Sequence, residues 1–211
     1  MIINNHVFFT SRIELKSQAK FDEETKNVSE AGFDWSYRTK RTAKELRALH
    51  AGVCCVGGVQ NGEEVSMFHL ISDSRHYNGN SITPAVTNMF DEIIQELNKE
   101  EKNNKKLNGL IAGADDFSPW SPPFFNSLKK EYAKREIPHS VIGKQTDNGS
   151  TSIHYSAVNK TWKVGHWGDK ILTVDDLKRV YKDITISPND ELWINGEKVD
   201  KLKHPELFAK N

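Results

Sequence analysis

The sequence predicts an α+β domain on a mixed β-sheet, and three observations point there. Two strand-like runs, 53–59 and 65–71, flank Asn61-Gly62, the strongest short-range hairpin signal. A helical stripe follows: Thr83 and Pro84 open it, and Val86, Met89, Phe90, Ile93, Ile94 and Leu97 recur at the spacing of one buried face. Further strands and helices then interleave without the regular βαβ alternation of a doubly wound sheet.

The elements read in order as follows. Val7-Phe8-Phe9 and Ile13-Glu14-Leu15 each suit a short strand. Thr42-x-x-Glu45 has the form of a capping box, which predicts a helix through Leu46 and Leu49 that Gly52 ends. The hairpin and the long helix come next. The Lys-, Glu- and Asn-rich run 98–106 reads as a solvated turn. Residues 107–114 form a strand ending in Gly113-Ala114-Asp115-Asp116. Ser121-Pro122 caps a helix carrying Phe125, Leu128 and Tyr132, which stops before Ile137-Pro138. Short strands follow at 140–142, 151–156 and 161–164. Thr173-x-x-Asp176 starts a last helix through Leu177 and Val180, and strands at 184–186 and 192–194 precede the turn Asn195-Gly196. This divides the chain into an N-terminal extension, 1–42, a main domain, 43–169, and a C-terminal helix and hairpin, 170–211, packed on that domain.

Composition excludes several classes of function. The 211 residues carry 29 Lys+Arg against 29 Asp+Glu, a formal net charge of zero, so no global field draws the chain to nucleic acid and no polybasic tract addresses a membrane. No run of about 18 apolar residues is present, and Met1-Ile2-Ile3-Asn4-Asn5-His6 lacks a basic segment followed by an apolar one, which argues against membrane insertion and Sec export. The two cysteines, Cys54 and Cys55, are adjacent; a bridge between neighbours is strained, so both are expected as free thiols in a reducing compartment.

The hairpin carries the chemistry. With a two-residue turn at Asn61-Gly62, opposed positions sum to the same value and Cys54 faces His69, at the ~5 Å Cβ spacing of a cross-strand pair. A cysteine beside a histidine is the activated nucleophile of cysteine hydrolases. Cys55 points to the other face, across from Phe68, as a small buried hydrophobe. The C-terminal end of the preceding helix would raise the thiol pKa, so activation falls to His69. A third group to orient the imidazole is open among Asp73, Asp115, Ser72 and a backbone carbonyl.

Other clusters carry less. His50, His76, His139, His154, His166 and His204 lack metal-ligand spacing, so no metal site is expected. Gly57-Gly58 is not followed by a phosphate-loop pattern. The aromatic segment 118–125 either rims a substrate site through Trp120 and Phe124 or folds back onto the core. Gly165-His166-Trp167-Gly168 reads as packing.

Gly52-Val53-Cys54, His69 one hairpin later, the long helix, Gly109 to Ala114, Asn126 opening a helix and Asp147-Asn148-Gly149 occur in an order that resembles the CheD-type chemoreceptor glutamine deamidases and, more distantly, the catalytic domain of cytotoxic necrotizing factor. The resemblance spans residues 48–165. The chain departs from the family pattern at Val53, where the family has serine; at Leu70-Ile71-Ser72, where it has Leu-Pro; and at Ala48, where CheD has an assisting threonine. The toxin relatives use a main-chain carbonyl for that third role.

The resemblance implies a mixed β-sandwich core flanked by helices. It also implies amide hydrolysis at a protein glutamine without a cofactor, Cys54 attacking the carboxamide and His69 moving protons. The expected partner is then a protein substrate with a reactive glutamine, met in the cytoplasm or, for an effector, in a host cell reached by a non-Sec route. The alternative is a noncatalytic protein-binding domain on the same scaffold; a zinc protein is a third reading.

Overall fold

A computed structural model of the chain describes residues 11–31, 42–98 and 107–210. In chain order its elements are β1 (Arg12–Ser17), α1 (Gln18–Thr25), β2 (Thr42–Ala43), β3 (Glu45–Ala51), β4 (Cys54–Gln60), β5 (Val65–Ile71), α2 (Pro84–Leu97), β6 (Asn108–Asp115), α3 (Ser121–Lys134), β7 (His139–Gln145), β8 (Ser150–Ser156), β9 (Thr161–Trp167), α4 (Val174–Val180), β10 (Tyr181–Thr185), β11 (Glu191–Ile194) and β12 (Glu197–Lys198).

The strands form two mixed sheets of six, in the orders β12-β11-β1-β9-β8-β3 and β10-β7-β6-β4-β5-β2. Alternation along each strand sends one set of side chains between the sheets. Leu15, Leu46, Ile153, Tyr155 and Trp162 from the first sheet meet Val56, Met67, Leu110 and Ile142 from the second in one core. The layers touch closely at Gly58, where a Cβ would stand 2.9 Å from Trp162 Cη2. Cys55, Phe68, Leu70 and Ile111 face the other way and are covered by α2 and α3 through Phe90, Phe125 and Tyr132. On the outside of the first sheet, α1 lays Phe21 over Gly165. The architecture is α+β, as the sequence predicts.

Two expectations change. The predicted helix at 42–49 is strand: β3 alternates buried Leu46 and Ala48 with outward Glu45 and Arg47 and pairs antiparallel with β8. The period of two outweighs the capping-box spacing because inward residues reach a core that a helix would not fill.

The hairpin turn has four residues, not two. Gln60 pairs with Val65, Asn61 N–H donates to the Glu64 carbonyl, and Asn61 Oδ1 accepts the amides of Glu63 and Glu64. Asn61 Nδ2 also donates to the Leu97 carbonyl at the end of α2, which fixes the loop to the helix. The pairing shifts by two residues, an even number, so every side chain keeps its predicted face.

The boundaries drawn at 42 and 169 fall inside one sheet, because β1 lies between β9 and β11 and runs parallel to both. Pro84–Leu97 matches the predicted helix, and α4 starts where Thr173-x-x-Asp176 predicts it, with Thr173 and Asp176 forming a capping box. The candidate strand at 7–9 and positions 99–106 of the charged run lie outside the described residues.

Candidate active site

Cys54 is the first residue of β4, which runs between β5 and β6 in the second sheet. It pairs with Ile71, while His69 pairs with Val56. Cys54 and His69 therefore share the face toward the first sheet and stand diagonal to each other, a separation of about 7–8 Å between backbones that long or ring-bearing side chains bridge. Both are nearly enclosed, at 7% and 5% exposure. Cys55 lies on the opposite face, fully buried among Phe68, Leu70 and Ile111.

The turn into β4 is tied down from three directions. The Val53 carbonyl accepts two side-chain hydroxyls, from Ser72 at 3.1 Å and Ser121 at 3.0 Å. Ser121 Oγ in turn accepts the Asp115 amide at 3.2 Å, joining the turn to the end of β6. The Ala51 carbonyl accepts Gln145 Nε2 at 3.4 Å, and the same nitrogen donates to the Gly149 carbonyl at 2.7 Å.

Facing two carbonyls fixes the orientation of the Gln145 amide, so its Oε1 accepts the Thr151 hydroxyl at 2.9 Å. Thr151 Oγ then accepts from Tyr181, whose oxygen lies 2.9 Å from His166 Nδ1, and His166 Nε2 stands 2.8 Å from Asp147. Asp147-Asn148-Gly149, singled out in the sequence, is thereby wired to the strand that leads into Cys54.

Backbone conformation adds a fourth constraint. Gly113 and Ala114, next to the start of β4, both have positive φ, +88° and +60°. A Cβ at Gly113 would stand 2.9 Å from both Ala51 Cβ and the Cys54 carbonyl. Glycine lets β6 pass this close to the turn.

Electrostatically the pair is neutral. Burial, then the Asp73 and Asp115 carboxylates, push the Cys54 thiol up to about 11. Burial, then His50, lower the His69 imidazole to about 4. The expected helix dipole plays no part, since β3 leads into the turn. Burial holds the Cys55 thiol well above its ordinary value. At neutral pH the arrangement is thiol plus neutral imidazole.

The two predicted rim residues part company. Trp120 is 53% exposed and covers Gly79, whose Cβ position lies 3.2 Å from Trp120 Cζ3. Phe124 is fully buried, with the rings of His76 and Tyr77 at 6.4 Å and 5.9 Å, so the expectation that it contacts substrate is corrected: it belongs to the core beneath α3. Its position three residues into the helix turns it inward. Phe117, exposed at 60%, is the aromatic neighbour that sequence reasoning passed over.

Of the candidate third groups, Ser72 bonds the Val53 carbonyl, Asp73 pairs with Arg75, and Asp115 accepts the Ser118 amide. Ser121, expected as a helix cap, is instead the first residue of α3, and the first amide after the two prolines, that of Phe124, donates to the Trp120 carbonyl.

No group of three or more His, Cys, Asp or Glu side chains suited to a metal ion occurs among the described residues, and no helix there is long and apolar enough to cross a membrane. No protein-family model matches the chain, and no curated protein matches it.

Proposed function

We propose that the protein is a cysteine-dependent amidohydrolase, acting as a glutamine deamidase on a protein substrate. The reading rests on one observation above the rest: Cys54 and His69 share a face of adjoining strands at the end of β4. In this scheme the Cys54 S–H proton passes to His69 as sulfur bonds to the carboxamide carbon. The C–N bond then breaks, nitrogen takes the proton from His69 and ammonia leaves. Water, deprotonated by His69, attacks the thioester, and the glutamate product departs as sulfur regains its proton. An amine in place of water would give transglutamination by the same thioester. Trp120 borders the approach in this reading, and the setting is the cytoplasm or, for an effector, a host cell.

The test is ammonia release from a library of glutamine-containing peptides, with intact mass showing conversion of amide to acid. Release by the unaltered protein and none by Cys54→Ser supports the reading; release at equal rates from both rejects it. One observation favours the second reading, a noncatalytic binding domain: the thiol is pushed up to about 11 beside Asp73 and Asp115, the setting of an inert cysteine. Alkylation of Cys54 no faster than that of a buried thiol, together with no ammonia, would favour it.

A further inference from the structure

We infer that Ser72 and Ser121 are positioning residues for Cys54, their two hydroxyls clamping the Val53 carbonyl so that the thiol is held in line with His69. The inference rests on the reading of Cys54 as nucleophile. Its basis is a carbonyl whose two acceptor positions are both filled by side chains from different elements, Ser72 just beyond β5 and Ser121 at the start of α3. Ser121 is fully buried and Ser72 is 9% exposed, yet Val53 itself is 42% exposed. The residue thus turns its side chain out and its oxygen in.

Ser121 does not serve as a helix cap. Ser121 occupies the first turn of α3 but caps nothing: Trp120 holds the cap position without a side-chain bond, and the next two residues are prolines. Its hydroxyl instead forms a relay from the Asp115 amide to the Val53 carbonyl.

The mechanical consequence follows from peptide planarity. Val53 C–O and Cys54 N–Cα belong to one rigid unit, so two bonds to the oxygen fix the plane from which the Cys54 Cα–Cβ bond leaves. A diagonal pair needs such a constraint more than an opposed pair does. With about 7–8 Å between backbones, a small rotation of that plane carries sulfur out of reach of the imidazole. The ladder of β4 holds Cys54 from one side only: it pairs with Ile71 of β5, while pairing with β6 begins at Cys55.

The experiment measures coupling between Cys54 and His69, using iodoacetamide alkylation of Cys54 in the Cys55→Ser background. With both serines present, His69→Gln should slow alkylation at neutral pH by about tenfold, the size of a modest general-base contribution. In Ser72→Ala/Ser121→Ala, with the fold checked by circular dichroism, His69→Gln should change the rate less than about twofold. Ser121→Thr, which keeps the hydroxyl, should restore the full effect. Ser72→Ala alone provides the same comparison should the double variant not fold.

An equal His69→Gln effect with and without the serines overturns the clamp while leaving the deamidase reading intact. Coupling that vanishes with the serines, in a protein that releases no ammonia from glutamine peptides, keeps the clamp and removes the deamidase. Should His69→Gln have no effect even with both serines present, the clamp falls.

Discussion

Cys54 and His69 stand diagonal on neighbouring strands, not directly opposed, because Asn61 closes a four-residue loop where Asn-Gly alone suggests two. The even shift preserves the shared face and changes the distance sulfur must cover. Accessibility of one thiol, not reactivity of both, then distinguishes the adjacent cysteines.

Cys54→Ser should abolish amide hydrolysis and alkylation at low reagent. Cys55→Ser should leave both in place and cost about 1–3 kcal/mol of stability, since its hydroxyl would be buried among Phe68, Leu70 and Ile111 without a partner. Urea denaturation and ammonia release measure the two effects. The reverse pattern would mean that the strand presents its other face to the substrate.

The neutral pair sets the pH profile. The proposed mechanism calls for an unprotonated His69 and a protonated Cys54, which coexist between about 4 and about 11. kcat/KM should therefore be flat from mildly acidic to alkaline pH, falling only as His69 gains its proton near the lower value. Asp115→Asn should lower the thiol pKa and speed alkylation at pH 8, because it removes one of the two carboxylates that oppose the thiolate. An acid limb near 6.5 would show that the imidazole is solvated.

Stability should fall with acid through His154, which is 3% exposed with neither ring nitrogen hydrogen-bonded. Burial, then Lys163, lower its folded pKa to about 4 from an unfolded value of 6.5. The unfolded chain thus takes up the proton first, and folding loses up to about 3 kcal/mol as pH drops from 6.5 to 4. Asp190 works in the opposite direction: burial raises its carboxyl to about 6, so the folded state takes up that proton first and gains stability on acidification. In thermal melts His154→Leu should flatten the acid limb and raise Tm at pH 5 more than at pH 8; an equal shift at both values would rule out the titration.

Trp120 and Phe124 should separate by type of loss. Trp120→Ser should weaken turnover of a protein substrate while leaving stability and small-reagent alkylation of Cys54 nearly unchanged. Phe124→Ser should cost roughly 3 kcal/mol or more by opening a cavity beside His76 and Tyr77. Parallel melts and steady-state kinetics show the division, and equal turnover by Trp120→Ser would take Trp120 out of the substrate path.

Periodicity disclosed the elements whose signals are local. The stripe from Val86 to Leu97, the capping box of Thr173 and Asp176 and the alternation in β4 and β5 are each written within a dozen or so positions. The segment 42–51 misleads because Leu46 and Leu49 fit a helix while Leu46 and Ala48 fit a strand, and the decision belongs to β8, a hundred residues away. The face of Cys54 and His69 survives an error in turn length because alternation is insensitive to an even slip. The serine clamp was not readable: it joins residues from three separate segments through one carbonyl, and no spacing rule connects them.

The position of β1 bears on synthesis. Ser11 donates to Asp190, 179 positions away, and β1 takes its two parallel neighbours from 161–166 and 191–194. A ribosome delivers the N-terminal strand first, so β1 must wait with both edges unpaired until β9 and then β11 emerge. Those contacts are among the most non-local a chain of this length permits, and they should form late and slowly. The second sheet, whose β4–β5 hairpin and β6 follow closely in sequence, can assemble earlier. A nascent chain stalled before residue 191 would therefore carry the cysteine and histidine strands already paired while one edge of β1 still lacked its partner, an aggregation risk that a chaperone would have to cover.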